Sequence, residues 1–383
     1  MRVKLDDVIA RITGNVDRFN TDLEYYVGGE HYDYASIAIY NKGLLKSEKG
    51  SMLGFKFHFP FQKGDTLFMA RNPHLKKAGM VTYDGICSDA SYVLRTKDHK
   101  VLLPEFLPLI IQNDLFWAFF EANKSGSVNY LMNWKEMRNY EFELPSIERQ
   151  KAIADMVWAA ERTRKAYISL VEATDELVKS QFIEMFGSGI FPVSKLSDEC
   201  ELITKGTTPT TIGYNFTAAG VNFIKIENID DNGKFNKSGI MYISEECNSV
   251  MRRSQLKEDD ILFSIAGAIG RCAVVSEDIL PANINQALAI IRLKKDSALD
   301  RKFVVAALQS DYVIAQYMEL KRGVAQLNLS LKNIGDFTVP VPPLEDQRTY
   351  VALAEQSDKS KFELQQSIKK IEVLIKSIIS QNE

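Results

Sequence analysis

The residues best suited to chemistry are four histidines and four cysteines, and their spacing argues against a reaction centre. His31, His58, His74 and His99 show no metal-ligand spacing with one another or with a cysteine. Cys87, Cys200, Cys247 and Cys272 lie far apart with no CxxC pair, which predicts reduced, buried thiols in a cytoplasm. Gly267-Ala268-Ile269-Gly270 has neither the G-x-G-x-x-G spacing nor a P-loop lysine, so it reads as a turn after a strand over 260–265. No nuclease-like carboxylate cluster stands out. The remaining polar clusters are hydrogen-bond donors. Arg71, Asn72, Lys76 and Lys77 follow one strand-like run, with Tyr83 behind them. The stretch TKGTTPTTIGYN offers Lys205, Thr207, Thr208 and Tyr214; Arg252 and Arg253 form a second basic spot, and Arg271 follows the glycine turn. For any single one of these, a solvated surface residue is the plain alternative.

The elements that must hold these residues come from a chain of 383 residues, long enough for two or more domains. Hydrophobic residues at 45% and charged residues at 25% fit a soluble globular protein. No apolar run approaches the length of about 18 residues that spans a bilayer, and the opening MRVKLDDVIARITG is no signal peptide. The net charge of −3, with a pI near 6.0, weighs against nucleic-acid binding by the whole surface and leaves room for a local basic patch.

Sliding the chain against itself by 197 residues aligns 103–183 with 300–380 without a gap. Phe106 meets Phe303, Gln112 meets Gln309, Asp114 meets Asp311, Lys124-x-Gly126 meets Lys321-x-Gly323, and Gln150 meets Gln347. Upstream the match is looser: Asp65-Thr66-Leu67-Phe68 resembles Asp260-Ile261-Leu262-Phe263, and Arg95 aligns with Arg292. One register held over this length is the mark of an internal repeat. The globular parts, 1–142 and 190–339, alternate strand-like runs (ASIAIYN, DTLFMA, SYVLRT, NFIKIENI, DILFSI, QALAIIRL) with turn signals. A helix-like stretch, around 104–121 and 301–320, closes each. The predicted class is α+β: two similar β-rich modules separated by two long repeated helices.

Those helices show a 4,3,4,3 spacing. Ile153, Val157, Ala160, Arg164, Tyr167, Val171, Thr174, Val178 and Gln181 form the first seam; adding 197 gives Tyr350, Ala354, Ser357, Lys361, Leu364, Ile368, Ile371, Ile375 and Ile378. Each seam is interrupted by one basic residue at the same step, as in a coiled coil whose register is being specified. The expectation is an antiparallel pair, with boundaries at 1–145, 146–187, 188–342 and 343–383; the alternative is two amphipathic helices, each lying on its own domain.

At this point the chain resembles the specificity subunit of type I restriction–modification enzymes. The resemblance rests on LNLSLKNIGDFTVPVPPLEDQ (327–347), DDILFSIAGAIGRCAVV (259–275), KLSDECELITKGTTP (195–209) and the half-repeat layout. The first half departs from the pattern at LPSIERQ, where Ser146 replaces the second proline. The resemblance implies a DNA-binding subunit of two target-recognition domains, each reading half of a split double-stranded site. The helices would set the spacing and dock methyltransferase subunits, two by expectation, with restriction/translocase subunits in the full complex. It also implies no catalytic centre or metal site here, and S-adenosylmethionine, ATP and Mg on the partner subunits. A methyltransferase of such a system would need an Asn/Asp-Pro-Pro-aromatic motif, and Asn72-Pro73-His74-Leu75 lacks its second proline and its aromatic residue. The donor clusters named above are then the candidates for phosphate positioning and base reading. The rival reading is a non-DNA-binding coiled-coil scaffold carrying two interaction modules; an enzyme with a cryptic site is a third.

Overall fold

The computed structural model describes residues 1–72, 75–123, 131–187, 189–230, 233–320 and 328–381. Pro73, His74, the Lys124-x-Gly126 and Lys321-x-Gly323 matches and Leu327 lie outside the described residues. The chain divides into two units: Met1–Ile168 with Gln366–Glu383, and Ser169–Gln365.

The first unit opens with β1 (Arg2–Lys4), α1 (Leu5–Val8) and β2 (Ile9–Ile12). β3 (Tyr25–Val27), β4 (Ala38–Ile39), β5 (Gly43–Leu44), α2 (Glu48–Ser51) and β6 (Phe57–Phe61) follow. Next come β7 (Thr66–Met69), β8 (Ala78–Val81), β9 (Gly85–Ser88) and β10 (Ser91–Thr96). Two sheets result, ordered β2-β10-β7-β8-β4 and β5-β3-β9-β6. The β-branched and aromatic run of β10 fits a strand paired on both sides, where Val93 and Leu94 are fully buried. α3 (Leu107–Gln112), α4 (Asp114–Asn123) and α5 (Trp134–Met137) cover the larger sheet, and β11 (Glu141–Glu143) returns to pair with β1. Phe68, Phe116, Trp117 and Phe120 interlock at the centre of this core. α6 (Ile147–Phe186) begins in this unit.

The second unit repeats the order. β12 (Val193–Lys195), α7 (Leu196–Glu199), β13 (Cys200–Lys205), β14 (Val221–Ile224), β15 (Met241–Ile243) and α8 (Glu245–Val250) are followed by β16 (Ile261–Ser264), β17 (Cys272–Val274), β18 (Ala282–Ile284) and β19 (Leu288–Leu293). The sheets are β13-β19-β16-β17 and β15-β14-β18. α9 (Arg301–Gln309), α10 (Asp311–Glu319), α11 (Leu331–Asp336) and β20 (Thr338–Pro340), which pairs with β12, lead into α12 (Leu344–Ser380). Each of the six strand-like runs contains a strand, although NFIKIENI is extended only to Ile224 and then makes a 3-10 turn over Ile226–Asn228.

Each expected closing helix is two helices. The breaks fall at Asn113 and Ser310, 197 residues apart, both in extended conformation (ψ 142° and 153°). Asn113 Oδ1 accepts from the Leu115 N–H and so starts α4, the side-chain capping that favours a new helix over a continued one.

Three side-chain devices recur at the 197 offset or its looser upstream continuation. Buried Gln150 donates through Nε2 to the carbonyls of Val101 (2.8 Å) and Pro145 (3.0 Å) and accepts from the Leu103 N–H. Buried Gln347 does the same with Ala298, Pro342 and Asp300. Arg95 forks onto Asp65 at 2.7 and 2.8 Å, and Arg292 onto Asp260 at 2.6 and 2.7 Å. The third device lies on the long helices. In the first unit Arg164 binds Glu161, three residues back on α6, and Glu372 of α12; in the second, Lys361 binds Asp358, three back on α12, and Asp175 of α6. Residues 161, 164 and 175 are the 197-offset counterparts of 358, 361 and 372.

Within each unit the two helices run antiparallel: Ile153 lies near Ile379 and Arg164 near Glu372 in the first, while Asp175 pairs with Lys361 and Phe182 packs on Tyr350 in the second. All eighteen seam positions, including Ile153, Val157, Tyr167, Val171 and Val178 and their partners Leu364, Ile368, Ile371, Ile375 and Ile378, are buried or half-buried. At about 1.5 Å per residue, the 40 residues of α6 extend about 60 Å. No helix among the described residues is long and apolar enough to cross a membrane.

Candidate nucleic-acid interface

Strand register decides which donors share a surface. In the first unit Met69 pairs with Ser91 and Phe68 with Ala78, so residues 70–77 connect β7 to β8 at one end of the larger sheet. That loop holds Arg71, Asn72, Lys76 and Lys77. Arg71 is exposed, and its backbone bridges to Leu131. Asn72 and Lys76 adopt positive φ (56° and 42°), a conformation that costs free energy in a residue with a side chain. The fold already uses both lysines: Lys76 Nζ lies 3.1 Å from Asp114, and Lys77 Nζ donates to the Gly29 carbonyl at 2.6 Å. The Lys76 ammonium holds the Asp114 carboxyl below the usual carboxylate range.

Tyr83 stands apart, beyond the opposite end of β8. Its hydroxyl donates to the Asn41 carbonyl, and burial pushes its phenol up. Its ring meets Tyr25 edge-on at 5.6 Å, and Lys42 Nζ sits 3.4 Å over Tyr25 and 4.5 Å over Tyr83. Sequence reasoning missed Lys42 and Tyr25, because neither has a spacing to Tyr83 that signals contact.

In the second unit Lys205 pairs with Ala289, Ser264 with Leu288, and Phe263 with Cys272. Lys205, Gln286 and Arg271 therefore lie at one end of the β13-β19-β16-β17 sheet, the counterpart of the end that carries residues 70–77. Thr207 is half-buried, and the Thr208 hydroxyl donates to Gln286 Oε1. Gly206 makes this packing possible, since a Cβ there would lie 1.9 Å from the Ile284 carbonyl oxygen. The Gly267–Gly270 stretch is a turn closed by Ser264, whose hydroxyl donates to the Ala268 carbonyl and accepts from the Arg271 N–H. The Arg271 guanidinium reaches the Ile229 carbonyl at 3.4 Å. Tyr214, Arg252 and Arg253 belong to the smaller sheet and gather around α8. Tyr214 donates to Glu246 at 3.2 Å and packs on the Val221–Phe223–Ile243 cluster, while both arginines are exposed in the turn after the helix.

Cysteine and histidine chemistry is muted. All four thiols are buried, and burial lifts Cys87 and Cys200 to about 12. His31 Nδ1 accepts the Gly28 N–H, and burial pushes its pKa down, which favours the neutral ring. Among the described residues no group of three or more histidine, cysteine or carboxylate side chains could hold a metal ion.

The fold and site together define a class: an internally repeated α+β protein with donor-rich loops at matching sheet ends and a long helix after each module. The family model for the type I restriction modification DNA specificity domain matches residues 1–166 and 191–373, and the chain belongs to that family. It is 29% identical to the EcoBI specificity subunit of Escherichia coli over 166 residues, 42% of this chain and 34% of that protein. The match thus spans about a third of that relative's length. The putative MjaX specificity subunit of Methanocaldococcus jannaschii is 20% identical over 338 residues, 80% of this chain and 76% of that one. Two solved structures share the fold at a TM-score of 0.59. One, a type I restriction–modification S subunit from M. genitalium, is 13% identical with 100% of this chain and 95% of that one covered. The other, a chain from work on complex assembly and conformational transition of the type I R-M system, is 21% identical with 99% and 96% covered.

Proposed function

We propose that the chain is the non-catalytic DNA-specificity subunit of a type I restriction–modification complex in the cytoplasm. Residues 1–145 and 188–342 are the two recognition domains, each reading one half of a bipartite double-stranded site. Residues 146–187 and 343–383 are the spacer helices, which fix the distance between half-sites and dock two methyltransferase subunits. Restriction/translocase subunits join the full complex, and S-adenosylmethionine, ATP and Mg belong to the partners. The observation that carries this reading is the contrast within the repeat: the glutamine and Asp–Arg devices recur in both units, while the loops at the matching sheet end differ (residues 70–77 against 265–271). A reader of two different half-sites needs that combination of constant frame and variable donors.

Arg71 and Asn72, and Lys205, Thr207 and Arg271, are the foremost contact residues, with Arg252 and Arg253 positioning phosphates. Lys76 and Lys77 act as loop supports. With a net charge of −3, this chain leaves much of the backbone electrostatics to its partners. Co-expression with the cognate methyltransferase subunit tests the proposal. The expected result is a stable complex that shifts DNA sequence-dependently, with affinity falling steeply as salt rises, and weak binding by this chain alone. Failure to form that complex, or a complex indifferent to sequence, would favour a scaffold without a DNA role.

A further inference from the structure

The first module shows two phenylalanines to water: Phe19 is 71% and Phe55 81% exposed. The core beneath is already filled, since Phe57 sets its ring edge-on against buried Tyr26 at 5.8 Å. Each exposed ring sits in a tight turn. The Asn20 N–H donates to the Asp17 carbonyl at 3.0 Å, and the Asp17 carboxylate accepts from the Phe19 N–H at 3.0 Å. The Phe57 N–H donates to the Gly54 carbonyl at 3.2 Å, with Phe55 inside that turn. Arg18 ties the two turns together. Its guanidinium lies 4.4 Å over the Phe19 ring and donates through Nη1 to the same Gly54 carbonyl at 3.0 Å. The turns are fixed before anything covers the rings, so little backbone freedom remains to be lost on binding.

Strand register places this pair beside the donor loop of residues 70–77. Ile12 lies opposite Val93 in an antiparallel pair, so the chain leaves β2 towards Ser91, and Ser91 pairs with Met69 where that loop begins. Phe57 pairs with Ser88; beyond it the Asp89 N–H donates to the Lys56 carbonyl at 3.0 Å, and the Ala70 N–H donates to the Ala90 carbonyl at 2.9 Å. One short connection, 88–91, therefore touches both the residue after Phe55 and the residue before Arg71. Lys56 offsets the charge of Asp89 at 3.9 Å, and the polar neighbours Lys56 and Asn20 are both exposed. Apolar tips with donors beside them are what proteins push between base pairs from a groove. The second module has no counterpart: among its described residues no aromatic side chain is exposed.

Given the DNA-reading role proposed above, on which this rests, we infer that Phe19 and Phe55 form a wedge that enters and unstacks one base step of the half-site read by the first module. Part of the sequence preference then comes from how easily that step opens. The test uses the full chain assembled with its methyltransferase subunits, on duplexes carrying the motif mapped from modified bases of the host genome. A fluorescent purine, 2-aminopurine for adenine or 6-methylisoxanthopterin for guanine, replaces each purine of either strand in turn, the methylated bases excepted. With the parent complex, emission should rise about twofold at one step, in one half-site only. The double variant Phe19→Ala/Phe55→Ala abolishes the rise and weakens binding to the motif about tenfold, while its affinity for a duplex without the motif is unchanged. Phe19→Leu/Phe55→Leu, which keeps an apolar tip, retains most of the rise. Leu44→Ala, exposed on β5 opposite Tyr25 and so at the far end of the smaller sheet, matches the parent. Thermal unfolding of each variant chain also matches the parent, which separates a lost wedge from a lost fold. A parent complex that binds duplexes with and without the motif equally defeats the DNA-reading role, and the wedge with it. A parent that discriminates without any rise in emission, or a rise that persists in the double alanine variant, overturns the wedge alone. Loss of assembly with the methyltransferase subunits in the double alanine variant would make the rings a protein contact and overturn the wedge equally.

Discussion

Set side by side, the two units keep their internal braces and exchange their outward loops. Gln150 and Gln347 bond the same three backbone groups of their respective repeats, and Asp65–Arg95 and Asp260–Arg292 are the same forked pair. The β7–β8 and β16–β17 connections occupy the same topological position yet share neither backbone nor chemistry. The first places non-glycine residues at positive φ and ties its lysines into the unit; the second is a glycine turn closed by Ser264. Selection on a frame that must present different surfaces would leave this pattern.

The braces differ in how much water reaches them, and stability measurements can exploit that. The largest effect is expected at Asp260→Ala. It strands Arg292, whose side chain is only 15% exposed, and removing one partner of a buried pair costs about 3–5 kcal/mol. Asp65→Ala should cost less, because Arg95 is 34% exposed and water can solvate the freed guanidinium. Urea unfolding that ranks the two in the opposite order would break the comparison.

The helix ion trios should separate more sharply. Arg164→Ala leaves Glu161, with a side chain 3% exposed, without its forked partner, at a cost of about 3 kcal/mol. Lys361→Ala leaves Asp175 and Asp358 about half in water, so it should cost at most about 1 kcal/mol. Equal losses in thermal unfolding would mean that burial of the acid is not what distinguishes the two sites.

The smallest contrast is expected at the glutamines. Each truncation leaves buried backbone groups without a partner, for about 1–3 kcal/mol. Because the bonds are the same, Gln150→Ala and Gln347→Ala should agree within about 0.5 kcal/mol, and a larger gap would show that the two junctions are not equivalent.

Much of this frame was legible in the sequence. Seam positions 3.5 residues apart express helix geometry and the fixed 197-residue offset expresses the internal repeat, so together they exposed the long helices and their basic interruptions, Arg164 and Lys361. The acids that complete each trio carry the same offset and were overlooked because a seam is read by its apolar residues. The break at Asn113 and Ser310 was missed because the apolar pattern runs through it; a single extended residue leaves no periodic trace. The candidate interface was least legible. Arg71 and Lys76 look alike in sequence, and only the fold shows that one is exposed while the other faces Asp114. Lys42 meets Tyr83 through pairing of distant strands, which no local spacing encodes.

The central claim, that two independent modules each read half of a site at a distance set by the helices, can be tested in one measurement. Residues 1–145 would be replaced by the equivalent segment of a family member of different specificity. The chimera would be co-expressed with its methyltransferase subunits, and modified bases would be mapped across the host genome. The account predicts that one half of the methylated motif changes while the other half and the spacing stay as in the parent. A motif altered in both halves or in spacing, or not altered at all, would contradict it.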